Sequence, residues 1–459
     1  MLNLCPARAI QGKFSLPISP DLLFMAALGA CAASLKIKIA NVNNSEVLQE
    51  IIRCMSGHAS FELREDSVLH ISPNINDDPA LLLPLPNSLL PYRMIYLFMG
   101  LGMGKTVTIR SAPQKQINDY IAQAKRIGIK LETETFNNNN ELTGLKTVEW
   151  KSESIQKANI DEEDCAALLS FIFGKRETLT FGIDFHLSTP LRQLAAAFGF
   201  VLNAKSTEKS DDPIAQRLKF LQSKKKIGQS QNQLYTVEAD FKSSSKEDKD
   251  DDELDIKVPG DEILGAALLS AKCLVPKGEL ILSNVCLESW GSQTLSFIKK
   301  MGAKLNINEN GKTSFGIRGT VEIQKAENIG KKIRCTPLYQ FAGQLPSMMI
   351  AAAFAKEKEK SVFRNLGGLR LYEPDGIDQL EKALRPLGVR HGEMPDGIVV
   401  EGARDFDGFE LTDALPAHIA IAFCMAGLRC LGKTSINNDS IEARWPDFEN
   451  FLNEICEFL

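Results

Sequence analysis

The chain has 459 residues, more than one ordinary hydrophobic core supports, and this length predicts two large domains. Hydrophobic residues make up 44% and charged residues 24%, as in globular proteins, and the formal charge of -5 without a basic stripe argues against nucleic-acid binding. Ten cysteines without a C-x-x-C pair indicate reduced thiols in a cytoplasmic protein, and five histidines without metal-ligand spacing argue against a metal site.

A pattern of strand, helix, glycine and strand recurs six times along the chain. In the first copy, a β-like alternation at residues 35–40 precedes helical spacing at 47–55, then Gly57 and a second strand at 59–63. Glycine after the helix supplies the left-handed cap that returns the chain to a strand. The other copies begin near residues 105, 177, 279, 361 and 433, and the last is cut short by the C-terminus. Such repeats predict stacked supersecondary units instead of one doubly wound sheet.

Each copy follows a helix rich in Ala, Leu and Met with few charges, which predicts burial. These helices are residues 21–34, 88–101, 162–173, 262–274, 344–356 and 416–430. The first contains an apolar run that ends at Leu28-Gly29-Ala30-Cys31 and resembles a lipoprotein cleavage site. A secreted lipoprotein and a buried first helix are both open, and the sixfold repeat favours the buried helix. No other run approaches the ~20 apolar residues of a membrane span.

Two other stretches stand out from the repeats. The charged, Ser-rich run at residues 241–257 cannot bury itself, and it predicts a mobile loop or linker that divides the six units three and three. The stretch Arg370-Leu371-Tyr372-Glu373-Pro374-Asp375-Gly376 places two carboxylates between a predicted strand and a predicted helix. These carboxylates are either an ordinary helix cap or a pair for acid–base chemistry.

Several local motifs resemble those of the 3-phosphoshikimate 1-carboxyvinyltransferases (EPSP synthases), a branch of the enolpyruvyl transferase family. Pro259-Gly260-Asp261 opening an Ala-rich helix looks like the family's P-G-D helix start. Residues 351–355 (A-A-A-F-A) followed by Arg370, Glu373 and Asp375 look like A-A-x-F-A…R-x-K-E-x-D-R, and residues 445–448 (W-P-D-F) look like the family's ending. Asn87 with Arg93 looks like the ends of N-A-G-T-x-x-R. The resemblance covers nearly the whole chain.

The resemblance implies an α/β (α+β) fold of two domains, each with three βαβαββ-type units around buried helices, closing over a cleft. The implied first domain is 16–240, the second is 1–15 plus 258–459, and 241–257 is an acidic flexible insertion. The implied activity is transfer of the enolpyruvyl group of phosphoenolpyruvate to shikimate 3-phosphate with release of phosphate, in aromatic amino-acid biosynthesis. The implied partner is a small anionic ligand in the cleft, with no cofactor, nucleic acid or membrane, in a cytoplasmic monomer.

By resemblance, Glu373 is the catalytic proton shuttle. The implied substrate-binding residues are Arg93, Arg370, Asp375, His418 and Arg444. Plainer interpretations stay open for them, because Arg93 and Arg370 suit buried ion pairs and His418 suits a packed side chain with a lowered pKa at a helix start. No metal-binding residues are implied.

The chain departs from the family pattern mainly at cationic and catalytic positions. Leu16, Asp21, Gln114 and Ala443 stand at places of lysine or arginine, and Gly343 stands at the place of a catalytic aspartate. Tyr372 and Gly376 replace the lysine and final arginine of the 370–376 stretch, and Asp161-Glu162-Glu163 replaces a phosphate-binding S-S-Q.

The sequence therefore leaves three hypotheses. The favoured one is an EPSP synthase-like protein that has lost enolpyruvyl transfer. The others are an active, diverged transferase with the same or a related acceptor, and a partner-binding scaffold that uses the acidic insertion.

Overall fold

The computed structural model of the protein describes residues 1–74, 82–85, 93–110, 114–136, 142–151, 162–183, 198, 200–206, 235–241, 253–288, 290–325, 332–334, 343–364, 366, 376–403 and 405–459. Helices and strands alternate through these residues, as predicted for an α/β (α+β) chain. Within these ranges no helix is long and apolar enough to cross a membrane.

The helices of the described residues follow the predicted repeats closely. They are α1 (Pro20–Ala33), α2 (Glu46–Met55), α3 (Arg93–Gly102), α4 (Gln114–Arg126), α5 (Glu162–Lys175), α6 (Glu262–Leu274), α7 (Trp290–Lys300), α8 (Leu345–Ala353), α9 (Gly376–Leu384), α10 (Ala417–Gly427), α11 (Asp439–Arg444) and α12 (Phe448–Ile455).

The strands are short, and most of them directly precede or follow one of these helices in the chain. In chain order they are β1 (Leu2–Leu4), β2 (Ala7–Ile10), β3 (Gly12–Ser15), β4 (Ile37–Ile39), β5 (Ala59–Leu63), β6 (Leu69–Pro73), β7 (Leu82–Leu85), β8 (Thr106–Arg110), β9 (Ile129–Phe136), β10 (Leu142–Trp150), β11 (Leu179–Ile183), β12 (Phe200–Ser206), β13 (Tyr235–Phe241), β14 (Leu254–Asp255), β15 (Leu280–Cys286), β16 (Lys304–Thr313), β17 (Gly316–Lys325), β18 (Lys332–Arg334), β19 (Lys360–Arg364), β20 (His391–Met394), β21 (Gly397–Glu401), β22 (Glu410–Leu411), β23 (Thr434–Ile436) and β24 (Cys456–Phe458).

The strands form six small sheets, one for each predicted unit, and β2 pairs separately with β24. In the first half the strand orders are β14-β4-β6-β5, β7-β8-β10-β9 and β11-β13-β12. In the second half they are β16-β17-β15-β3, β18-β19-β21-β20 and β1-β23-β22. Most pairs are antiparallel, but β14, β7, β3, β18 and β22 each lie parallel to a neighbour.

The helices rich in small residues form the centre of each half. Helices α1, α3 and α5 pack together in the first half, and α6, α8 and α10 pack together in the second. Helix α1 begins where Ser19 accepts a hydrogen bond from the Leu22 N–H at 3.4 Å, with Pro20 in its first turn. Its side chains from Leu22 to Ala30 are buried, as predicted for the first of the core helices. Each triplet lies in its own hydrophobic core.

Two regions differ from the sequence prediction. The sheet of the sixth unit contains a strand from the first residues of the sequence, because β1 pairs with β23. The run at residues 241–257 is predicted to be mobile, and its residues 242–252 lie outside the described residues; in its described end, β14 lies parallel to β4 and Ile256 is buried. The reason is that Leu254, Ile256 and Val258 alternate with polar residues, so this end of the run can bury one face.

Candidate functional site

The chain passes twice between the two hydrophobic cores, and the two passages run side by side. Residues 16–19 lead from β3 into α1, and residues 256–261 lead from β14 into α6. Ile18 and Gly260 form an antiparallel bridge between the passages, and backbone hydrogen bonds of 2.7 and 3.0 Å flank it. The two halves are thus joined by a short two-stranded connection.

Asn284 of β15 contacts both passages. Its backbone is left-handed, with a φ of 60°, a conformation that asparagine tolerates better than most residues. Its side-chain Nδ2 donates to the Leu16 carbonyl at 3.1 Å, and its own carbonyl accepts the Gly260 N–H at 2.9 Å. A Cβ on Gly260 would stand 2.5 Å from that same carbonyl oxygen, so only glycine fits there.

A buried arginine and two buried aspartates lie beside this connection. Arg444 donates through Nη2 to Asp21 Oδ2 at 2.5 Å and through Nε to Asp261 Oδ2 at 3.0 Å. The three side chains, called here the Arg444 triad, are at most 2% exposed. The indole N–H of Trp445 donates to the same Asp261 oxygen at 3.1 Å. Because Asp21 lies in α1 and Arg444 ends α11, the triad joins the two halves.

The Arg444 triad pairs one guanidinium with two carboxyl groups. Asp261 Oδ1 also caps α6 by accepting the Ile263 N–H at 2.9 Å, whereas Asp21 Oδ1 has no hydrogen-bond partner among the described residues. Burial raises the pKa of Asp21 even though Arg444 acts to lower it. Burial alone would lower the pKa of Arg444, but the two carboxylates outweigh it and raise that pKa, so the guanidinium stays charged. The positive charge of Arg444 is therefore balanced within the triad, and its guanidinium is buried.

His418 lies near the triad, at the second residue of α10. Its side chain is half-buried. Burial, and after it the positive charge of Arg444, lowers the pKa of His418 to about 4. The imidazole is therefore neutral at pH 7 and can offer one N–H donor to a ligand, but no positive charge.

A cavity of about 430 Å³ opens between the two halves, next to the connection. It is called the cleft cavity below. Its described lining residues are Ser15, Leu16, Pro17, Asn41, Asn43, Ser283, Asn284, Asn310 and Arg318. Arg318 is the single charged residue among them. The surface of the cavity is thus rich in amides and hydroxyls.

The predicted site residues are only partly visible in the described residues. Arg93 is the first residue of α3, and its side chain lies outside the description. Arg370, Glu373 and Asp375 lie outside the described residues altogether. His418 and Arg444 are brought together, and Arg444 faces two carboxylates. The assigned roles of all these residues stay predictions.

Two features of the site escaped the sequence interpretation. The first is the pairing of Asp21 with Arg444, although the sequence carried a signal for it. By the resemblance, Asp21 stands at a place of arginine and Arg444 stands beside a place of lysine, so the two departures are of opposite charge. The second is the pair Asn41 and Asn284, which occupy matching places in the repeats I-A-N-V and L-S-N-V and share the left-handed conformation.

Comparisons of sequence identify relatives mainly through the second half of the chain. The family model of EPSP synthase (3-phosphoshikimate 1-carboxyvinyltransferase) matches residues 232–452, just under half of the chain. A 3-phosphoshikimate 1-carboxyvinyltransferase from Desulfitobacterium hafniense (strain DSM 10664 / DCB-2) is 29% identical over 203 residues, which are 44% of this chain and 46% of the relative. One from Coxiella burnetii (strain RSA 331 / Henzerling II) is 27% identical over 44% of this chain and 45% of the relative. The matched region thus spans less than half the length of these curated relatives.

Comparisons of structure cover nearly the whole chain. The EPSP synthase of Acinetobacter baumannii superposes with a TM-score of 0.64 at 16% identity, over 99% of this chain and 98% of that one. The enolpyruvyl transferase NikO from Streptomyces tendae superposes with a TM-score of 0.64 at 12% identity, over 99% and 96% of the two chains. At such low identity the superpositions establish the fold alone. The chain therefore has the enolpyruvyl transferase fold and resembles EPSP synthase, most clearly in the sequence of its second half.

Proposed function

We propose that this chain is an EPSP synthase-like protein that has lost enolpyruvyl transfer and acts by binding a small ligand in the cleft cavity. The observation that carries the proposal is the Arg444 triad. Asp21 stands where the resemblance places an arginine, and Arg444, a predicted anion ligand, contacts Asp21 and Asp261. The arginine expected to bind an anionic substrate is therefore paired with two buried carboxyl groups of the chain itself.

The charge balance of the cleft cavity is the second support. Transfer between phosphoenolpyruvate and shikimate 3-phosphate requires two phosphates and a carboxylate to be held by fixed cations. The described lining of the cavity offers Arg318 alone. One charge-assisted hydrogen bond contributes about 1.5–3 kcal/mol, so the loss of several leaves too little affinity for substrates of that charge.

A direct assay tests this proposal. Purified full-length protein is mixed with phosphoenolpyruvate and shikimate 3-phosphate, and released phosphate is measured against the Acinetobacter baumannii enzyme as positive control. We expect no release above the protein-free background. Turnover on the order of 1 s⁻¹ or faster, as in ordinary enzymes, would contradict the proposal.

The same assay separates the proposal from the diverged-transferase hypothesis. Shikimate is supplied with phosphoenolpyruvate in place of shikimate 3-phosphate. Phosphate release from phosphoenolpyruvate with shikimate, but not with shikimate 3-phosphate, would indicate a transferase with a changed acceptor. In that case Glu373→Gln should abolish the activity, because Glu373 is the proton shuttle implied by the resemblance. The proposal also keeps the cytoplasmic location, which is supported by the nine free cysteines found among the described residues.

A further inference from the structure

The hairpin formed by β16 and β17 has its base in one half of the molecule and its tip in the other. At the base, Val321 and Ile323 belong to the hydrophobic core of the second half. At the tip, Phe315 belongs to the hydrophobic core of the first half and is 0% exposed. A single hairpin is thus packed into both cores.

A phenylalanine is an unusual residue at the tip of a hairpin. Ser314 and Phe315 form the two-residue loop between the strands, because Thr313 pairs with Gly316. Such loops usually lie on the surface and favour Gly, Asn and Asp. A fully buried aromatic side chain in this loop indicates that the tip is docked against another part of the molecule.

Two hydrogen bonds attach the same loop to the passage at residues 256–261. The Ser314 N–H donates to the Lys257 carbonyl at 2.9 Å, and the Lys257 N–H donates to Ser314 Oγ at 3.2 Å. Ile256 and Val258, on either side of Lys257, belong to the same first-half core as Phe315. The tip is therefore held by both polar and apolar groups where the chain leaves the first half.

The conformation of the tip is fixed from within the hairpin. Thr313 Oγ1 accepts the Phe315 N–H at 3.1 Å and donates to the Gly316 carbonyl at 2.8 Å. The strand pairing shifts between Glu309 and Gly311, as at a β-bulge, and such a shift bends the strand. A tip ordered in this way moves with its hairpin, and hence with the second half.

A rotation of one half against the other would have to pull the tip out of its site. The base of the hairpin would move with the second half, while Phe315 is buried in the first. Its withdrawal would expose an aromatic ring and break the two hydrogen bonds to Lys257. The Arg444 triad is a second attachment between the halves, and beside it α11 of the second half contacts α2 of the first.

We propose that the hairpin of β16 and β17 is a strap, anchored by Phe315, that holds the two halves in one relative orientation. The cleft cavity then keeps one width whether or not it contains a ligand. This inference goes beyond the proposed function, because it does not depend on what the cleft binds or on whether it catalyses a reaction.

Hydrogen exchange of the full chain, read by mass spectrometry, tests the strap. Phe315→Ser removes the anchor but keeps the backbone pairing of the hairpin. We expect the amides of Lys257, Ser314 and Asp261 to exchange about tenfold to a hundredfold faster than in the parent protein, because burial of one phenylalanine side chain contributes that factor to an opening equilibrium. Protection within α1 and α6 should change little, because neither helix unfolds when the halves separate.

Small-angle X-ray scattering of the same proteins measures the orientation of the halves. The parent protein should scatter as a single conformation, and Phe315→Ser should show a larger radius of gyration. Phe315→Leu keeps an apolar anchor, and Lys312→Ser changes an exposed residue of the same hairpin, so both should scatter like the parent. Ile323→Ala loses buried area at the base but keeps the anchor, so it should lower stability without changing the scattering.

The inference fails if Phe315→Ser keeps both the scattering and the exchange rates of the parent protein, or if Ile323→Ala opens the molecule as much as Phe315→Ser does. If Phe315→Ser does not fold, the parent protein alone decides, because scattering that requires a range of orientations of the two halves would overturn the strap. The proposed function fails on a different readout, which is phosphate release in the transferase assay.

Discussion

The lowered pKa of His418 makes the stability of the folded protein depend on pH. Its pKa is about 4 in the folded protein, because of burial first and of Arg444 second, against an ordinary value of 6.5. The unfolded chain therefore binds a proton at a higher pH than the folded chain does. The stability that His418 contributes is complete above about pH 6.5 and is lost as the pH falls toward about 4.

This sign leads to a prediction at the scale of one residue. Between pH 7 and pH 5 the free energy of unfolding should fall by about 1–2 kcal/mol through His418 alone. His418→Gln, which cannot be protonated, should lose correspondingly less stability over the same interval. Urea unfolding of both proteins at the two pH values measures the difference. Identical pH dependence in the two proteins would contradict the lowered pKa.

At the scale of one element, the end of α6 depends on a buried lysine. Lys272 is 2% exposed, and its ammonium donates to the carbonyl oxygens of Pro276, Lys277 and Gly278 at 2.7, 2.8 and 2.8 Å. Burial lowers the pKa of this ammonium. The lysine thus closes the turn that leads from α6 to β15, a form of C-terminal capping by a cation.

Substituting this lysine tests its role. Lys272→Met keeps the length of the side chain but leaves several carbonyl groups without a donor, and it should cost about 2–4 kcal/mol of stability. The control is Lys277→Met in the same turn, where the side chain is exposed and the change should stay within about 0.5 kcal/mol. Urea midpoints measure both. If the two variants are equally stable, the ammonium is not holding the turn.

The elements themselves were largely predictable from the sequence, and for local reasons. Helix α2 begins and ends within about one residue of the predicted 47–55, because Ser45 caps it and apolar residues recur at helical spacing. The strand partners were less predictable, because the spacing within β3 or β14 does not say which distant strand it will join. The same limit hid the Arg444 triad, whose partners lie 183 and 423 residues from Arg444 in the chain.

At the scale of the whole molecule, the triad connects the two halves, and it should matter more than any surface ion pair. Arg444→Met would leave two buried carboxylates without their cation, which should cost about 3–5 kcal/mol. Arg429→Met breaks a partly exposed pair with Asp405 at 3.0 Å and should cost less than about 1 kcal/mol.

A second variant keeps the test informative if the Arg444→Met protein does not fold. Asp21→Asn replaces one of the two carboxyl groups by an amide but leaves Arg444 paired with Asp261, so it should be milder than Arg444→Met. Thermal and urea midpoints of the three variants rank these effects. An Arg444→Met protein as stable as Arg429→Met would show that the triad contributes little to joining the halves.

The pairing of the N-terminal strands sets an order of events during synthesis. Strands β1, β2 and β3 pair with β23, β24 and β15, which are synthesised hundreds of residues later. The first half can complete its opening sheet once β14 at Leu254–Asp255 has emerged. The second half cannot complete its sheets before β23 and β24 have been synthesised, and until then β1 and β2 have unpaired edges of the kind that invite association with other chains. The opening sheet of the first half can therefore form while the second half is still being synthesised, whereas the sheets that contain β1 and β3 form only after β23 and β15 have been made.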